Sequence, residues 1–236
     1  MTKSEIIRFI ILRTIGNFLV LFALFGVVAT FGPAIYYEVQ FRIIQVRGLH
    51  YSVAEVKTNP SVSPLGEMMK NGEPDGLASV LAGPKEQIMI PKDTDFSILI
   101  PTIGATAKIY PNIDPANEQE FLPILQRGVA HAKGTVFPGM SGNIYLFAHS
   151  TDNFWDAGRY NAVFYLLKDL TVGDPVIMFF ENRRYNYKVS ESRIVDPADV
   201  SLLVGSQSGQ DQKLILQTCW PPGTTWKRLL VIAKPE

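Results

Sequence analysis

The sequence predicts a mostly β domain, a barrel or sandwich, behind a single membrane-crossing helix. Three observations carry that prediction. Residues 14–37 contain no charged side chain. Short apolar runs separated by turn residues recur from about residue 96 to the C-terminus. Only one stretch of that region, near residues 158–170, shows helical spacing of apolar residues, at Val163, Leu166, Leu167 and Leu170.

The uncharged run is rich in Phe, Leu, Val and Ile, and a helix needs roughly 20 such residues to cross the hydrocarbon core. A helix is also the form that satisfies its own backbone groups there. Pro33 is expected to kink or end it, and Tyr36 and Tyr37 suit an interface. Lys3, Arg8 and Arg13 precede the run. Basic flanks stay on the cytoplasmic side, so the expectation is a single-pass anchor with its N-terminus inside. A cleaved signal peptide is the competing reading, but the run is long for one and no small-x-small site follows.

The organisation expected is therefore a cytoplasmic segment 1–13, an anchor 14–37, a linker 38–91 and a folded domain 92–236. Residues 38–48 mix charged and apolar side chains and extend the helix at most briefly. Between about residues 51 and 91 the chain is punctuated by Pro60, Pro64, Gly66, Gly72, Pro74, Gly76, Gly83 and Pro84, which reads as a stalk. The strands expected are 96–100, 106–110, 143–149, 175–181, 185–195, 214–219 and 228–233, with a short helix in the loop 196–204. Many strands and few helices point to an all-β architecture.

Composition narrows the function. Lys plus Arg equals Asp plus Glu at 22 each, for a formal net charge of +0, a balance that gives no reason to expect a nucleic-acid partner. Hydrophobic residues make up 47% of the chain, enough for a core. The one cysteine excludes an intrachain disulfide. A lone thiol is either buried and inert or reactive.

A reactive cysteine needs thiolate character, which a nearby histidine supplies. Acyl transfer also needs a donor for the oxyanion, a role open to arginine. Of the three histidines, His50 lies by the anchor and linker, leaving His131 and His149. His149 and Cys219 each end an expected strand, and Arg228 opens the next. Strand ends fix the backbone while the adjoining loops admit substrate. Taken singly, Cys219 is as well read as a buried thiol, His149 as a turn residue and Arg228 as half of a surface ion pair.

Taken together the segments resemble the sortase family. Its cysteine closes a Thr-Leu-x-Thr-Cys strand; here the residues are Ile215-Leu216-Gln217-Thr218-Cys219, with Ile215 in place of the usual Thr. The stretch from Cys219 through Trp220-Pro221-Pro222-Gly223 to Arg228 resembles the family's cysteine-to-arginine hairpin, with a gap like that of the pilus-type and accessory classes. Gly128 to Asn143, including His131, resembles the segment leading into the catalytic His strand, although Ala148 replaces the usual Gly. Ile100-Pro101-Thr102-Ile103 resembles the start of the fold. The resemblance covers about residues 95–234.

It implies a closed eight-stranded barrel with one or two short helices, and an anchored cysteine transpeptidase working outside the membrane. Cys219 would attack the bond after Thr in an LPXTG-like sorting signal, His149 would exchange protons with the amines, and Arg228 would hold the oxyanion. His131 matches a histidine often found near this position outside the catalytic trio. No metal or organic cofactor is implied. The partners implied are surface proteins or pilins bearing the signal, and an amine of a cell-wall precursor or pilin lysine. Substrate contacts are expected from Val200 and Leu203 in the loop 196–213, from Trp220 in the hairpin, and from Thr218. Asp93-Thr94-Asp95-Phe96 only faintly resembles the plug of pilus-type lids, so no working lid is expected. The rival readings are an L,D-transpeptidase, whose Ser-His-Gly-Cys-x-Arg-like segment is missing, a hydrolase, and a weak or inactive barrel that only binds signals. A thioacyl intermediate separates the last of these from an enzyme.

Overall fold

The structure is a computed structural model and describes residues 3–48, 50–53, 86–150, 163–204 and 211–236. Ten strands are named here in chain order: β1 (His50–Val53), β2 (Glu86–Met89), β3 (Phe96–Ile100), β4 (Ala105–Ile113), β5 (Val129–Ala132), β6 (Asn143–Phe147), β7 (Pro175–Phe180), β8 (Arg183–Val195), β9 (Lys213–Trp220) and β10 (Lys227–Pro235). The α-helices are α1 (Lys3–Arg47), α2 (Glu118–Leu125) and α3 (Ser201–Val204).

Strands β3 to β10 close into an eight-stranded barrel in the order β10-β8-β7-β3-β4-β5-β6-β9. Alternation along each strand sorts its side chains into two layers. Ile98, Ile100, Ile144, Leu146, Val176, Met178, Leu214, Leu216, Leu229 and Val231 are among those that fill the barrel. Tyr145, Phe147, Ile215, Leu230 and Ile232 lie on the outer face, where Phe121 and Ile124 of α2 and Leu202 and Leu203 of α3 pack on them. The barrel thus has a core inside and a second apolar layer outside the β6–β9–β10 wall.

The expected strands are all present, and the elements that differ have local causes. β5 is only four residues long, between Gly128 and Gly134, too short for alternation to register. A Cβ on Gly128 would lie 2.4 Å from the Lys108 carbonyl oxygen, so β4 and β5 meet there only because no side chain intervenes. α2 follows a Pro- and Asn-rich turn that masks its apolar trio Phe121, Ile124 and Leu125. The helix expected over 158–170 is, in its described part, a 3-10 turn, Tyr165–Asp169. Phe164, Leu167 and Leu170 are buried in the barrel core. Their spacing of three is the period of a 3-10 helix, not of an α-helix. Residues 151–162 lie outside the described residues.

The N-terminal helix is longer than the uncharged run. α1 is 45 residues long, about 67 Å at 1.5 Å per residue, and continues through Pro33 to Arg47. Its apolar window, Lys3–Ala29, is the one helix among the described residues long and apolar enough to cross a membrane. Beyond that window the helix meets the barrel. Phe41 is 2% exposed and belongs to the core cluster, and Lys168 Nζ lies 2.9 Å from both Glu38 and Asp169 carboxylates. The hydrogen bond from Lys168 holds the Glu38 carboxyl below its usual range.

The expectation of a structureless linker over 38–91 is thereby corrected at both ends. Residues 38–47 are helical, and β1 and β2 form a parallel two-stranded ribbon, His50 opposite Glu86 and Val53 opposite Met89. Tyr51, Val53 and Met89 cover Leu99, Ile177 and Phe179 on the outside of β3 and β7. Buried apolar contacts order these pieces despite their irregular composition. Residues 54–85 lie outside the described residues.

Candidate active site

Strand register sets Cys219 opposite Arg228 and pairs β6, the strand that leads to His149, with β9. In the antiparallel β9–β10 pair, Cys219 is directly opposite Arg228. β6 runs parallel to β9, with Phe147 beside Gln217. That pairing outlasts β6: the Ala148 N–H donates to the Gln217 carbonyl (3.2 Å), and the Thr218 hydroxyl donates to the Ala148 carbonyl (3.0 Å). His149 is the next position along, two residues past the end of β6. Neighbouring strands are about 4.8 Å apart, so Cys219 and Arg228 are adjacent across β9 and β10.

The pair lies on the outer face of the wall. Leu214 and Leu216 point inward and Ile215 outward, so alternation directs Cys219 outward with Gln217. Arg228 shares the face of Leu230 and Ile232 on β10. Cys219 is a partly exposed free thiol. The Arg228 guanidinium donates from Nη1 to the Thr225 and Lys227 carbonyls, each at 3.1 Å, which ties it to the β9–β10 hairpin. Lys227 pairs with Asp196 at 2.5 Å, bracing that hairpin against the end of β8.

His131 stands elsewhere. It is fully buried inside the barrel, its ring stacked on Phe137 at 4.6 Å and edge-on to Phe96 at 5.7 Å. Nδ1 accepts the Asn112 N–H (3.3 Å), and Nε2 lies 3.0 Å from the Val136 carbonyl and from the Thr135 hydroxyl. Since Nδ1 accepts, Nε2 carries the proton and donates it to Val136. Burial lowers the pKa of His131 from its usual 6.5, partly offset by the Val136 hydrogen bond. Both nitrogens are engaged inside the barrel, away from the outer face that holds Cys219.

The expected substrate contacts are spread out. Leu203 packs on the outer apolar layer and Val200 is exposed beside it. Trp220 packs against the interior cluster, while Trp226, next to its cross-strand partner Lys227, is 73% exposed. Thr218 is on the opposite face from Cys219, buried, with its hydroxyl bonded to Ala148; the period of two that turns Cys219 outward turns Thr218 inward. Asp93 and Asp95 lie at the other end of the barrel. β3 runs in the same sense as β9, and Asp93 accepts the Phe96 N–H at the start of β3 (2.8 Å).

Two residues of this face have no counterpart among the contacts expected. The Tyr145 hydroxyl donates to Gln217 Oε1 at 2.5 Å, from β6 to β9. Burial, reinforced by Asp199 and opposed by Arg228, pushes the Tyr145 pKa up to about 12, so the hydroxyl stays protonated. The signal lay in the sequence as Gln217, the first polar residue after the apolar run 214–216 and two positions before Cys219.

Comparison with known proteins fits this geometry. Residues 98–236 match the sortase domain, which is more than half of the chain, and the chain belongs to the sortase family. It is 27% identical over 138 residues to sortase D of Bacillus subtilis; that match spans 57% of this chain and 60% of the relative, so less than two thirds of the relative is covered. Among solved structures it is similar to sortase C1 of Streptococcus agalactiae, with 27% identity, a TM-score of 0.50, 64% of this chain and 72% of that one. A lid mutant of sortase A from Corynebacterium diphtheriae shares the fold at 22% identity and a TM-score of 0.50, over 86% of this chain and 95% of that one.

Proposed function

We propose that this chain is a membrane-anchored cysteine transpeptidase acting on LPXTG-like sorting signals. The observation that carries the proposal is Cys219 directly opposite Arg228 near the end of β9, with β6, the strand that leads to His149, paired to β9. Family membership supports the reaction class.

The chemistry follows from the three residue types. The Cys219 thiolate adds to the carbonyl carbon of Thr, and Arg228 stabilises the oxyanion that develops. The C–N bond breaks as His149, in its protonated form, delivers a proton to the leaving amine. A C–S thioester now holds the acyl group. An incoming amine attacks it, passes a proton to His149, and expels the thiolate. The acceptor is an amine of a cell-wall precursor or a pilin lysine, and the donors are surface proteins or pilins bearing the signal. α1 anchors the enzyme, with the basic Lys3, Arg8 and Arg13 end cytoplasmic and the barrel outside.

The test uses the full-length chain in detergent micelles, a panel of LPXTG-like peptides, and amine acceptors, followed by mass spectrometry. Wild type should give an acyl adduct on Cys219 and a ligated product. Cys219→Ala and His149→Ala should give neither, whereas His131→Ala should retain transfer in whatever fraction stays folded. A folded wild type that yields no product with any peptide would remove the enzyme reading. Hydrolysis without ligation would replace the transferase with a peptidase.

A further inference from the structure

The loop between β8 and α3 crosses the face that carries Cys219 and Arg228. It leaves β8 at Val195, whose partner on β10 is Arg228, itself opposite Cys219. Asp196 pairs with Lys227, the neighbour of Arg228. The Asp199 N–H donates to the Asp196 carbonyl (3.0 Å), and the Asp199 carboxylate accepts the Ser201 N–H (3.0 Å). α3 then packs Leu202 and Leu203 on the outer layer with Tyr145 and Ile215, and Asn143 Nδ2 donates to the Leu202 carbonyl (2.9 Å). The loop is tied at one end to the Arg228 hairpin and at the other to β6, and Asp199 lies between the two ties.

Most charges here are matched. Lys227 faces Asp196, and Arg193, the cation that acts on Asp199, faces Glu191 (2.8 Å). Among the described residues, Arg228 and Asp199 are in no ion pair. Arg228 donates to backbone carbonyls only, and Asp199 is exposed. The hydrogen bonds from Ser201 hold the Asp199 carboxyl below its usual range, so it is ionised at neutral pH. Tyr145, whose hydroxyl bonds Gln217 two residues from Cys219, feels the charges of both Asp199 and Arg228. An uncommitted carboxylate thus shares the face with the thiol and the guanidinium.

We infer that Asp199 is the residue that recruits the acyl acceptor, binding the incoming amine in its cationic form on the face that holds the thioester. This rests on the transpeptidase reading above. An amine of the lysine kind is an ammonium ion at neutral pH, and Arg228 alone would repel it from that face. The Asp199 carboxylate offsets the repulsion and raises the local concentration of the cation. The bound ammonium loses one proton to water, and the free amine then attacks the thioester. The competing account is that Asp199 only closes the turn that starts α3, which would affect stability and not the choice of acceptor.

The experiment uses the full-length chain in detergent micelles, an LPXTG-like donor peptide and two acceptors at neutral pH. One is Nα-acetyl-lysine amide, a cation; the other is hydroxylamine, which is neutral. Asp199→Asn removes the charge and keeps the turn, since Asn makes the same bond to the N–H two residues on. It should raise KM for the lysine acceptor by roughly two- to fivefold, the size of an exposed ion pair. Acyl adduct formation on Cys219 and transfer to hydroxylamine should stay at the wild-type rate. Added salt should weaken the lysine acceptor in wild type and have less effect in the variant. Asp199→Ser, which also suits such a turn, repeats the test if the first variant folds poorly. Unchanged KM for the lysine acceptor, an equal rise for both acceptors, or slower adduct formation would overturn the inference, the last by showing that Asp199 acts on Arg228 instead. A folded wild type that forms no adduct with any peptide would overturn the transpeptidase reading, and this one with it.

Discussion

His131 and His149 are the same residue type in opposite settings. His149 is partly exposed just after β6, the strand paired with that of Cys219, while His131 sits inside the barrel with both nitrogens committed. The depressed pKa of His131 has a consequence for stability. The fold disfavours its protonated form, so below pH 6.5 the unfolded chain binds more protons there than the folded one. Stability attached to this residue is intact above the unfolded value of 6.5 and falls as pH drops below it, towards the lower folded value. Urea titrations across pH 7 to 5 should show wild type weakening more steeply than His131→Asn. Parallel slopes for the two proteins would show that His131 does not stay neutral in the fold. Glu38 and Asp199, also shifted downward, act at more acidic pH and leave this window to the histidines.

At the scale of elements, the site depends on how β6 is held after its ladder ends. The Thr218 hydroxyl on the Ala148 carbonyl is the side-chain link that carries the pairing one residue further, to His149. Thr218→Val keeps the shape and leaves that carbonyl without its donor, a cost of about 1–3 kcal/mol. For a chain of this size about 2 kcal/mol lowers the melting midpoint by about 4–8 °C. Peptide transfer at a temperature where the variant is fully folded should also fall, because His149 loses its support. A variant that melts earlier but transfers at the wild-type rate would show that Thr218 stabilises without positioning.

The whole molecule is shaped by where α1 meets the barrel. Phe41 lies about 18 Å along the helix from Ala29, the end of the apolar window. With α1 in a bilayer, the barrel sits close above the surface and not at the tip of a long stalk. The docking is apolar at its centre, with the Glu38–Lys168 pair partly exposed and worth little by itself. Phe41→Ala removes a buried aromatic side chain, typically about 3–5 kcal/mol, and should release the helix end instead of unfolding the barrel. Hydrogen exchange over residues 38–47 should then accelerate while β6, β9 and β10 keep their protection. Uniform acceleration in both would mean that helix and barrel unfold as one unit.

The strands at 96–100, 143–147 and 214–219 were legible in the sequence because a buried strand carries its signal locally, in apolar runs bounded by turns. The apolar helix was legible for the same reason. Cys219, Arg228 and His149 were picked out by residue type, by their places at strand ends and by resemblance to sortase segments. What the sequence could not contain is the parallel register of β6 on β9, which joins residues 70 positions apart and brings the strand that leads to His149 beside the strand that carries Cys219. The same register turns Thr218 inward, sets Gln217 beside the thiol and places Tyr145 to hold it. The docking of Phe41 and the ribbon of β1 and β2 likewise depend on partners distant in the chain. Composition and periodicity are properties of neighbours along the chain, whereas the face a residue shares is fixed only when the barrel closes.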